Sequence, residues 1–384
     1  MQDESEEHFF DEAERTNFIK VISSFKFYRK SSLKRIDERV CYVSTLPYKQ
    51  QKLLARYVSN FNATKDCVDA NNRVIEKMLS NVENLFINSK SNIEKQELAY
   101  IVQDPDSDKV HITLKQIARD WSDLGAGERD QCYKPVIDEL MLHFDPTSQK
   151  SQFRVLVPGA GLGRLVYEIA LRGFFCEGNE FSLFMLIASN FVLNRCLMDN
   201  QFEIFPYCHQ FVNNLKRDDP LKSCRFPDVS AFQNPPKGEM NMIAGDFVQV
   251  YGDQSQHESW DCICSCFFID CANNIVEFLE IIYRILRPGG IFINYGPLLY
   301  HYCDAPNELS IEPSYEDLRE IIEKIGFTFL KENTQVKSKY SQNPSSMAKL
   351  EYDSVFFVVQ KNEAQPQSPK DVQGNNDNSD SDCH

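Results

Sequence analysis

Apolar positions change period twice along the chain. From residue 1 to about 100 they recur at helical spacing, as in "EEHFFDEAERTNFIKVISSFKFYRKSSLKRI" and "LPYKQQKLLARYVSNFNATKDCVDANNRVIEKMLSNVENLFI", with few Gly or Pro. A polar loop at 89–111 separates these from a further predicted helix over 112–144, "ITLKQIARDWSDLGAGERDQCYKPVIDELMLHF". From Phe153 onward short β-rich runs alternate with amphipathic ones. Strands are predicted at "FRVLVP", "FFCEGNE", "MNMIAGD", "WDCICSCF", "GIFINYG", "FTFLKENT" and "SVFFVVQK". Helices are predicted at "GRLVYEIALRG", "SLFMLIASNFVLNRC", "NIVEFLEIIYRILRPGG" and "SYEDLREIIEKIG". Such alternation implies an α/β fold with a mostly parallel, doubly wound sheet of seven strands. Residues of about 197–240 exceed an ordinary connection and are expected as an insertion, beside the ligand cleft or as a surface excursion. The expected division is a helical region over 1–105, a catalytic domain over 106–361 and an acidic, disordered tail over 362–384.

The first predicted strand runs into "PGAGLGRL", with glycines at Gly159, Gly161 and Gly163. A turn that brings backbone close to a ligand needs residues without a Cβ, and the helix that follows points free N–H groups at whatever sits there. The dinucleotide fingerprint is G-x-G-x-x-G. Here the spacing is G-x-G-x-G, the turn of methyltransferases that hold S-adenosylmethionine. Glu180 ends the next strand, where a carboxylate can accept both ribose hydroxyls; the plainer reading is a helix cap. Asp246, in "AGDF", can accept the adenine amino group while Phe247 covers the ring, or can simply cap a helix. The "RPGG" turn before the fifth strand supports the same fold and carries no chemistry.

Charge and composition narrow the partners. The formal net charge of -15 argues against a general nucleic-acid binder. "KSSLKR" at 30–35 is the most basic stretch and reads as a solvated helix face. No uncharged apolar run of spanning length is present, so no membrane segment is expected, and the acidic N-terminus lacks a basic-then-apolar leader. Thirteen cysteines are read as reduced thiols. Cys262, Cys264 and Cys266 alternate along one strand and are expected on one face, packed under a helix rather than around zinc. His143, His209 and His257 have no partner pattern.

"GNEFSLFMLIASNFVLNRC", "CFFIDCANNIVEFLEIIYRILRPGGIFINYGPLLYH" and "NELSIEPSYEDL" take the reading further. Together with the glycine turn they resemble the carnosine N-methyltransferase family, from about residue 15 to 360 and most strongly over 153–320. The resemblance implies a Rossmann-like class I methyltransferase fold with an added helical N-terminal region. It also implies S-adenosylmethionine as cofactor and the imidazole of β-alanyl-histidine as acceptor, giving anserine. Gln116 and Arg119 match the family's cofactor-contacting helix; three residues apart, they share a face, and the Arg119 fork suits the methionine carboxylate. Gly159, Gly161, Glu180, Asp246 and Phe247 match the remaining cofactor contacts, and Cys266 lends its backbone near the methionine part. Asp270, His301 and Tyr352 match the substrate-contacting positions, with Asp270 and His301 assigned to catalysis. Leu350 and Phe181 depart from the family, standing where relatives often have tyrosine and tryptophan. The implied mechanism is in-line methyl transfer, with Asp270 accepting one imidazole N–H so that the other nitrogen attacks. Asp270 as a helix cap, His301 as a core histidine and Tyr352 as sheet core are the plainer readings. The alternatives for function are a protein histidine methyltransferase and a non-catalytic cofactor-binding module. The expected partner is a small dipeptide, with no nucleic acid and no membrane; the helical region can support a homodimer, and the expected location is the cytoplasm, with the nucleus second.

Overall fold

A computed structural model of the chain describes residues 3–80, 82, 106–147, 153–306 and 308–362, with side chains from residue 14 onward. The tail expected beyond 362 and most of the loop expected over 89–111 lie outside these residues. The elements run α1 (Asp3–Ser44), α2 (Tyr48–Leu53), α3 (Ala55–Leu79), α4 (Ser107–Trp121), α5 (Ala126–His143), β1 (Arg154–Pro158), α6 (Arg164–Leu171), β2 (Phe175–Glu180) and α7 (Leu183–Arg195). They continue with β3 (Phe202–Ile204), β4 (Cys224–Phe226), β5 (Met240–Ala244), α8 (Phe247–Tyr251), β6 (Trp260–Cys266) and α9 (Ile275–Ile285). The last are β7 (Leu286–Gly296), α10 (Tyr315–Ile325), β8 (Phe327–Ser338) and β9 (Tyr352–Lys361).

Seven strands form one sheet in the order β5-β2-β1-β6-β7-β9-β8. The pairs β5/β2, β2/β1, β1/β6 and β6/β7 are parallel, while β9 runs antiparallel to both neighbours. The seven runs predicted from alternation are these seven strands. Chain order reverses between β1 and β6, so the carboxyl ends of these strands open the crevice where doubly wound sheets bind ligands.

Each face is covered by helices, all but α8 expected from the periodicity. Cys132, Val136 and Leu140 of α5 and Leu165, Val166 and Ile169 of α6 pack on one face. Phe247 of α8, Leu279 and Ile282 of α9 and Leu318 and Ile322 of α10 pack on the other. Cys262 and Cys264 are fully buried in the α5–α6 layer with Cys266 beside them, as strand alternation predicted. The helical region shares its core with the sheet domain. Phe25 and Tyr28 of α1, Val68 and Ile75 of α3, Leu114 and Trp121 of α4 and Ile187 and Phe191 of α7 form one apolar cluster.

The single helix predicted over 112–144 is two. α4 starts earlier, at Ser107, and ends at Trp121; Ser122 turns extended (φ -136°, ψ 163°) and a short 3-10 turn leads into α5. The break requires glycine at 125, because a Cβ there would lie 1.9 Å from the Arg119 carbonyl oxygen. Residues 197–240 carry the β3/β4 pair, antiparallel and separate from the main sheet. They pack on α1 and α3: Asn71 donates to the Phe205 carbonyl (3.1 Å), and Tyr28 Oη lies 2.8 Å from His209 Nε2. His209, without a partner pattern in the sequence, stacks on His111 with ring centroids 3.8 Å apart. Among the described residues no helix is long and apolar enough to cross a membrane.

Candidate active site

The turn after β1 places Gly159, Gly161 and Gly163 at φ +63°, +55° and +77°, backbone that L side chains rarely adopt. Two of these positions differ in their surroundings. A Cβ on Gly159 would sit 2.5 Å from the Phe268 ring, whereas one on Gly161 meets nothing nearer than Asp120 Oδ2 at 3.9 Å. The turn is therefore closed beneath Gly159 and open over Gly161. Glu180, at the end of β2, faces the same opening. Its Oε2 accepts from the Gly161 N–H (2.8 Å) and its Oε1 from the Ser182 N–H (2.7 Å). Burial raises its pKa, and the backbone N–H groups of Ser182, Gly161 and Phe181 partly offset this by stabilising the charged form.

The ends of β2 and β5 are tied together: Gly245 N–H donates to the Glu180 carbonyl (3.0 Å) and Asn179 donates to the Gly245 carbonyl (2.9 Å). This brings Asp246 to the edge that holds Glu180. Asp246 also caps α8, with Oδ1 accepting from Val248 (2.9 Å) and Gln249 (3.1 Å) N–H groups, as the plainer reading had it. Phe247 is buried, its ring 5.0 Å from Phe278 and 5.4 Å from Phe268. Phe181, beside Glu180, is the exposed aromatic at this edge.

Gln116 and Arg119 lie on α4, whose carboxyl end is clamped to the glycine turn. Trp121 Nε1 donates to the Leu162 carbonyl (3.0 Å), and Arg164 donates to the Asp120 carbonyl (2.8 Å). Asp228, from the insertion, receives Arg129 and Arg164 at 2.6 Å each. Removing one member of such a buried set costs about 3–5 kcal/mol, because the others are left uncompensated. The clamp fixes Arg119, which is buried. Its Nη1 donates to Asp120 Oδ1 (2.7 Å) and Tyr133 Oη (2.8 Å), and its Nε has no hydrogen-bond partner.

Tyr340 lies over this arginine. Its ring centroid is 4.6 Å from the guanidinium carbon, and its hydroxyl accepts from Gln116 Nε2 at 2.6 Å. The loop carrying it, between β8 and β9, is held by Glu128 accepting from the Ser341 and Gln342 N–H groups (2.7 and 2.8 Å). The insertion grips the same loop, through Asn343 to Gln210 (2.9 Å) and Met347 N–H to the Asn213 carbonyl (2.7 Å). The insertion thus serves the cleft by anchoring the loop that covers α4. Cys266 ends β6 with its thiol packed beside Cys132.

Asp270 follows β6 in a one-turn 3-10 helix, Ile269–Cys271, and caps no α-helix; Asn274 caps α9 instead. It is 2% exposed. Oδ2 accepts from the Leu299 N–H at 2.9 Å, while Oδ1 is buried with no hydrogen-bond partner. Burial raises its pKa, against the Leu299 N–H and the nearby His301, which lower it. The loop after β7 is stitched to it through the backbone, His301 N–H donating to the Asp270 carbonyl at 3.0 Å. The His301 ring is exposed, so it is not a core histidine. Phe267 and Tyr300 flank the pair at φ +56° and +46°, a conformation that costs about 1–3 kcal/mol in non-glycine residues. Tyr352, half-buried at the start of β9, meets the Phe267 ring edge-on at 6.3 Å, and Phe267 meets the Tyr340 ring at 4.8 Å with the planes tilted by 46°. Leu350 is exposed.

Seven of the eleven sequence-predicted residues thus fall in two groups along one edge of the sheet. Gly159, Gly161, Glu180 and Asp246 line the β1, β2 and β5 ends; Asp270, His301 and Tyr352 follow β6, β7 and the start of β9. Gln116 and Arg119 belong to α4, outside the strand edge. Asp120, Tyr133, Phe267 and Tyr340 were not picked out from the sequence. Asp120 adjoins Arg119 and could have been flagged; Tyr340 sits in an aperiodic loop that gives no signal.

The sheet order, the open glycine turn and the acidic ends of β2 and β5 define a class I S-adenosylmethionine-dependent methyltransferase. The donor set fits that cofactor: room over Gly161 for backbone approach, a carboxylate at Glu180 for a diol, and at Arg119 a buried guanidinium whose Nε makes no hydrogen bond and lies 3.6 Å from Glu128 Oε2. The carnosine N-methyltransferase profile matches residues 96–363. Similar proteins include a carnosine N-methyltransferase of Mus musculus, 42% identical over 91% of this chain and 86% of its own length. Another, of Drosophila melanogaster, is 42% identical over 91% and 81%. A third, of Schizosaccharomyces pombe, is 35% identical over 91% and 96%. The chain belongs to the carnosine N-methyltransferase family, and it is an S-adenosylmethionine-dependent enzyme.

Proposed function

We infer that this methyltransferase acts on the imidazole of carnosine, β-alanyl-histidine, and forms anserine. The observation that carries the reading is Asp270 Oδ1, a buried carboxylate oxygen without a partner at the carboxyl end of β6. A buried acceptor left unpaired costs about 1–3 kcal/mol, more when charged, and such a site stands ready for a donor from outside. Imidazole offers one. Its unperturbed pKa of about 6.5 leaves most of it neutral at pH 7, with one N–H and one lone pair.

Bound S-adenosylmethionine supplies an electrophilic methyl group. Asp270 takes the N–H of the ring nitrogen remote from the peptide, which leaves the near nitrogen's lone pair exposed and selects the 1-methyl product. The same carboxylate opposes the positive charge that grows on the ring, and burial strengthens that interaction. Leu299 N–H holds Asp270 from the other side, so the acceptor is fixed before substrate arrives. His301 and Tyr352 flank the acceptor and hold the dipeptide. Arg119 holds the cofactor's carboxylate and Glu180 its ribose.

Purified enzyme with cofactor should methylate carnosine in preference to free histidine, other imidazole dipeptides and a histidine-bearing protein. NMR of the product should place the methyl on the ring nitrogen nearer the peptide. Methylation of the protein substrate alone would overturn the acceptor assignment. The same reading carries two further proposals. Tyr42, Tyr48 and Leu53 are exposed apolar side chains on α1 and α2 that a second copy would cover, which light scattering should register as twice the monomer mass. The activity belongs in the cytoplasm, with the nucleus second, checked by assaying the two fractions.

A further inference from the structure

We propose that Asp270, Cys271 and His301 form a site for one thiophilic divalent cation, with Zn²⁺ the fitting ion, that shuts the imidazole pocket. A carboxylate oxygen of Asp270, Sγ of Cys271 and a ring nitrogen of His301 lie within 4.8 Å of one another. Oxygen, sulfur and nitrogen together suit zinc; magnesium or calcium would ask for oxygens alone. Three protein ligands with the fourth position open is the arrangement of accessible zinc sites.

Two further observations point to a ligand here. Asp270 is 2% exposed and its Oδ1 has no hydrogen-bond partner. Cys271 Sγ makes only a long 3.9 Å contact to the Phe267 carbonyl, so the thiol is uncommitted. The scaffold is also in place. Asp270 and Cys271 share a 3-10 turn, and the backbone of His301 is fixed to the Asp270 carbonyl. Bonds of about 2.0–2.3 Å put tetrahedral ligands roughly 3.4–3.8 Å apart. The cluster must therefore contract by about 1 Å, and the exposed His301 ring can supply that movement by rotation.

The step is a simple exchange. The metal–sulfur bond forms as the Cys271 S–H bond breaks, and the proton leaves to solvent; nothing is oxidised or reduced. Thiolate and carboxylate together cancel the two positive charges. With Asp270 bound to a cation and the pocket occupied, the imidazole N–H loses its acceptor. Free zinc is then a competitive inhibitor against the dipeptide. That competition rests on the placement of imidazole at Asp270; metal binding itself does not.

The test uses the full chain in metal-buffered solution. Equilibrium dialysis counts bound Zn²⁺, and the Cd²⁺–thiolate charge-transfer band reports sulfur ligation. Cys271→Ser should keep the metal-free methylation rate, lose the cadmium band, and shift the inhibitory zinc concentration upward by about tenfold or more, since even outer partners of a metal are worth about 10–100-fold. Cys41→Ser, an exposed thiol on α1, controls for adventitious binding and should leave the band and inhibition unchanged. A Cys271→Ser protein that binds and is inhibited like the parent overturns the proposal. If the band depends on Cys271 but carnosine fails to displace the metal, the metal site stands and the placement of imidazole falls.

Discussion

Replacing Asp270 with asparagine tests the chemistry most directly, because the structure makes the two carboxylate oxygens unequal. Oδ2 is engaged by the Leu299 N–H at 2.9 Å and Oδ1 is buried and unpaired. Asparagine keeps the shape. Its carbonyl oxygen must face Leu299, since the reverse would set two donors against each other. Its NH₂ then occupies the place of Oδ1 and repels the imidazole N–H. The ring binds only in the other tautomer, with the lone pair on the wrong nitrogen. A hydrogen bond to a charged group is worth about 1.5–3 kcal/mol. Loss of the charge that faces the developing imidazolium removes up to about 4 kcal/mol at an effective dielectric of 20 and 4 Å. These overlap, so a total of about 3–5 kcal/mol is reasonable. At 1.36 kcal/mol per decade that is a fall of roughly 10²–10⁴ in turnover.

The same substitution should not harm the fold. Burial raises the Asp270 pKa in the folded chain, so the ionised group opposes folding at neutral pH. The native state holds the proton more tightly than the unfolded chain. The penalty is therefore full above the folded pKa and fades as the pH falls through it. Asp270→Asn should melt at or above the parent temperature at pH 8, and the gain should shrink as the solution is acidified. The assay pairs methyl transfer to carnosine with cofactor titration by calorimetry and a melting curve at each pH. Turnover within about fivefold of the parent would remove Asp270 from the mechanism. A lowered melting temperature at pH 8 would show that the carboxylate is a structural strut.

Glu180→Gln should weaken S-adenosylmethionine by about 1.5–3 kcal/mol, roughly 10–100-fold, its one carbonyl oxygen serving only one of the Gly161 and Ser182 N–H groups; equal calorimetric affinity would end the ribose assignment. Gly161→Ala should cost only about 1–2 kcal/mol of stability through its φ of +55°, and lose cofactor affinity out of proportion, because the room there belongs to the ligand. Gly159→Ala adds a 2.5 Å collision with Phe268 and should be clearly less stable than Gly161→Ala in the same denaturant titration. The kcat/KM profile should fall on the acid side through two protonations, that of the substrate imidazole near pH 6.5 and that of Asp270, whose pKa burial raises; in Asp270→Asn only the imidazole limb should remain.

What the sequence made legible follows from which interactions are local. Strand alternation and helix periodicity are set within ten residues, so the seven strands of the main sheet and helices α6, α7, α9 and α10 could be read directly, while the five-residue α8 is too short to show a period. Glu180, Asp246 and Asp270 were legible for a similar reason: each stands at or just beyond the carboxyl end of a strand, and in an open α/β sheet that position faces the ligand. The break at Ser122–Gly125 was missed because the apolar spacing carries through it. Only a three-dimensional contact, Gly125 against the Arg119 carbonyl, shows why glycine is needed where the helix ends. Tyr340 was missed for the opposite reason. Nothing near it in sequence is periodic, and its place over Arg119 is set by Glu128 of α5 and by Gln210 and Asn213 of the insertion. The unequal oxygens of Asp270 were equally hidden, because the partner of Oδ2 is a backbone N–H in a loop 29 residues away. A carboxylate with one oxygen fixed and one buried and unpaired is a property of two loops meeting. Residue type and spacing could nominate Asp270 for the site, but only that meeting gives it a direction, and the proposed choice between the imidazole nitrogens rests on that direction.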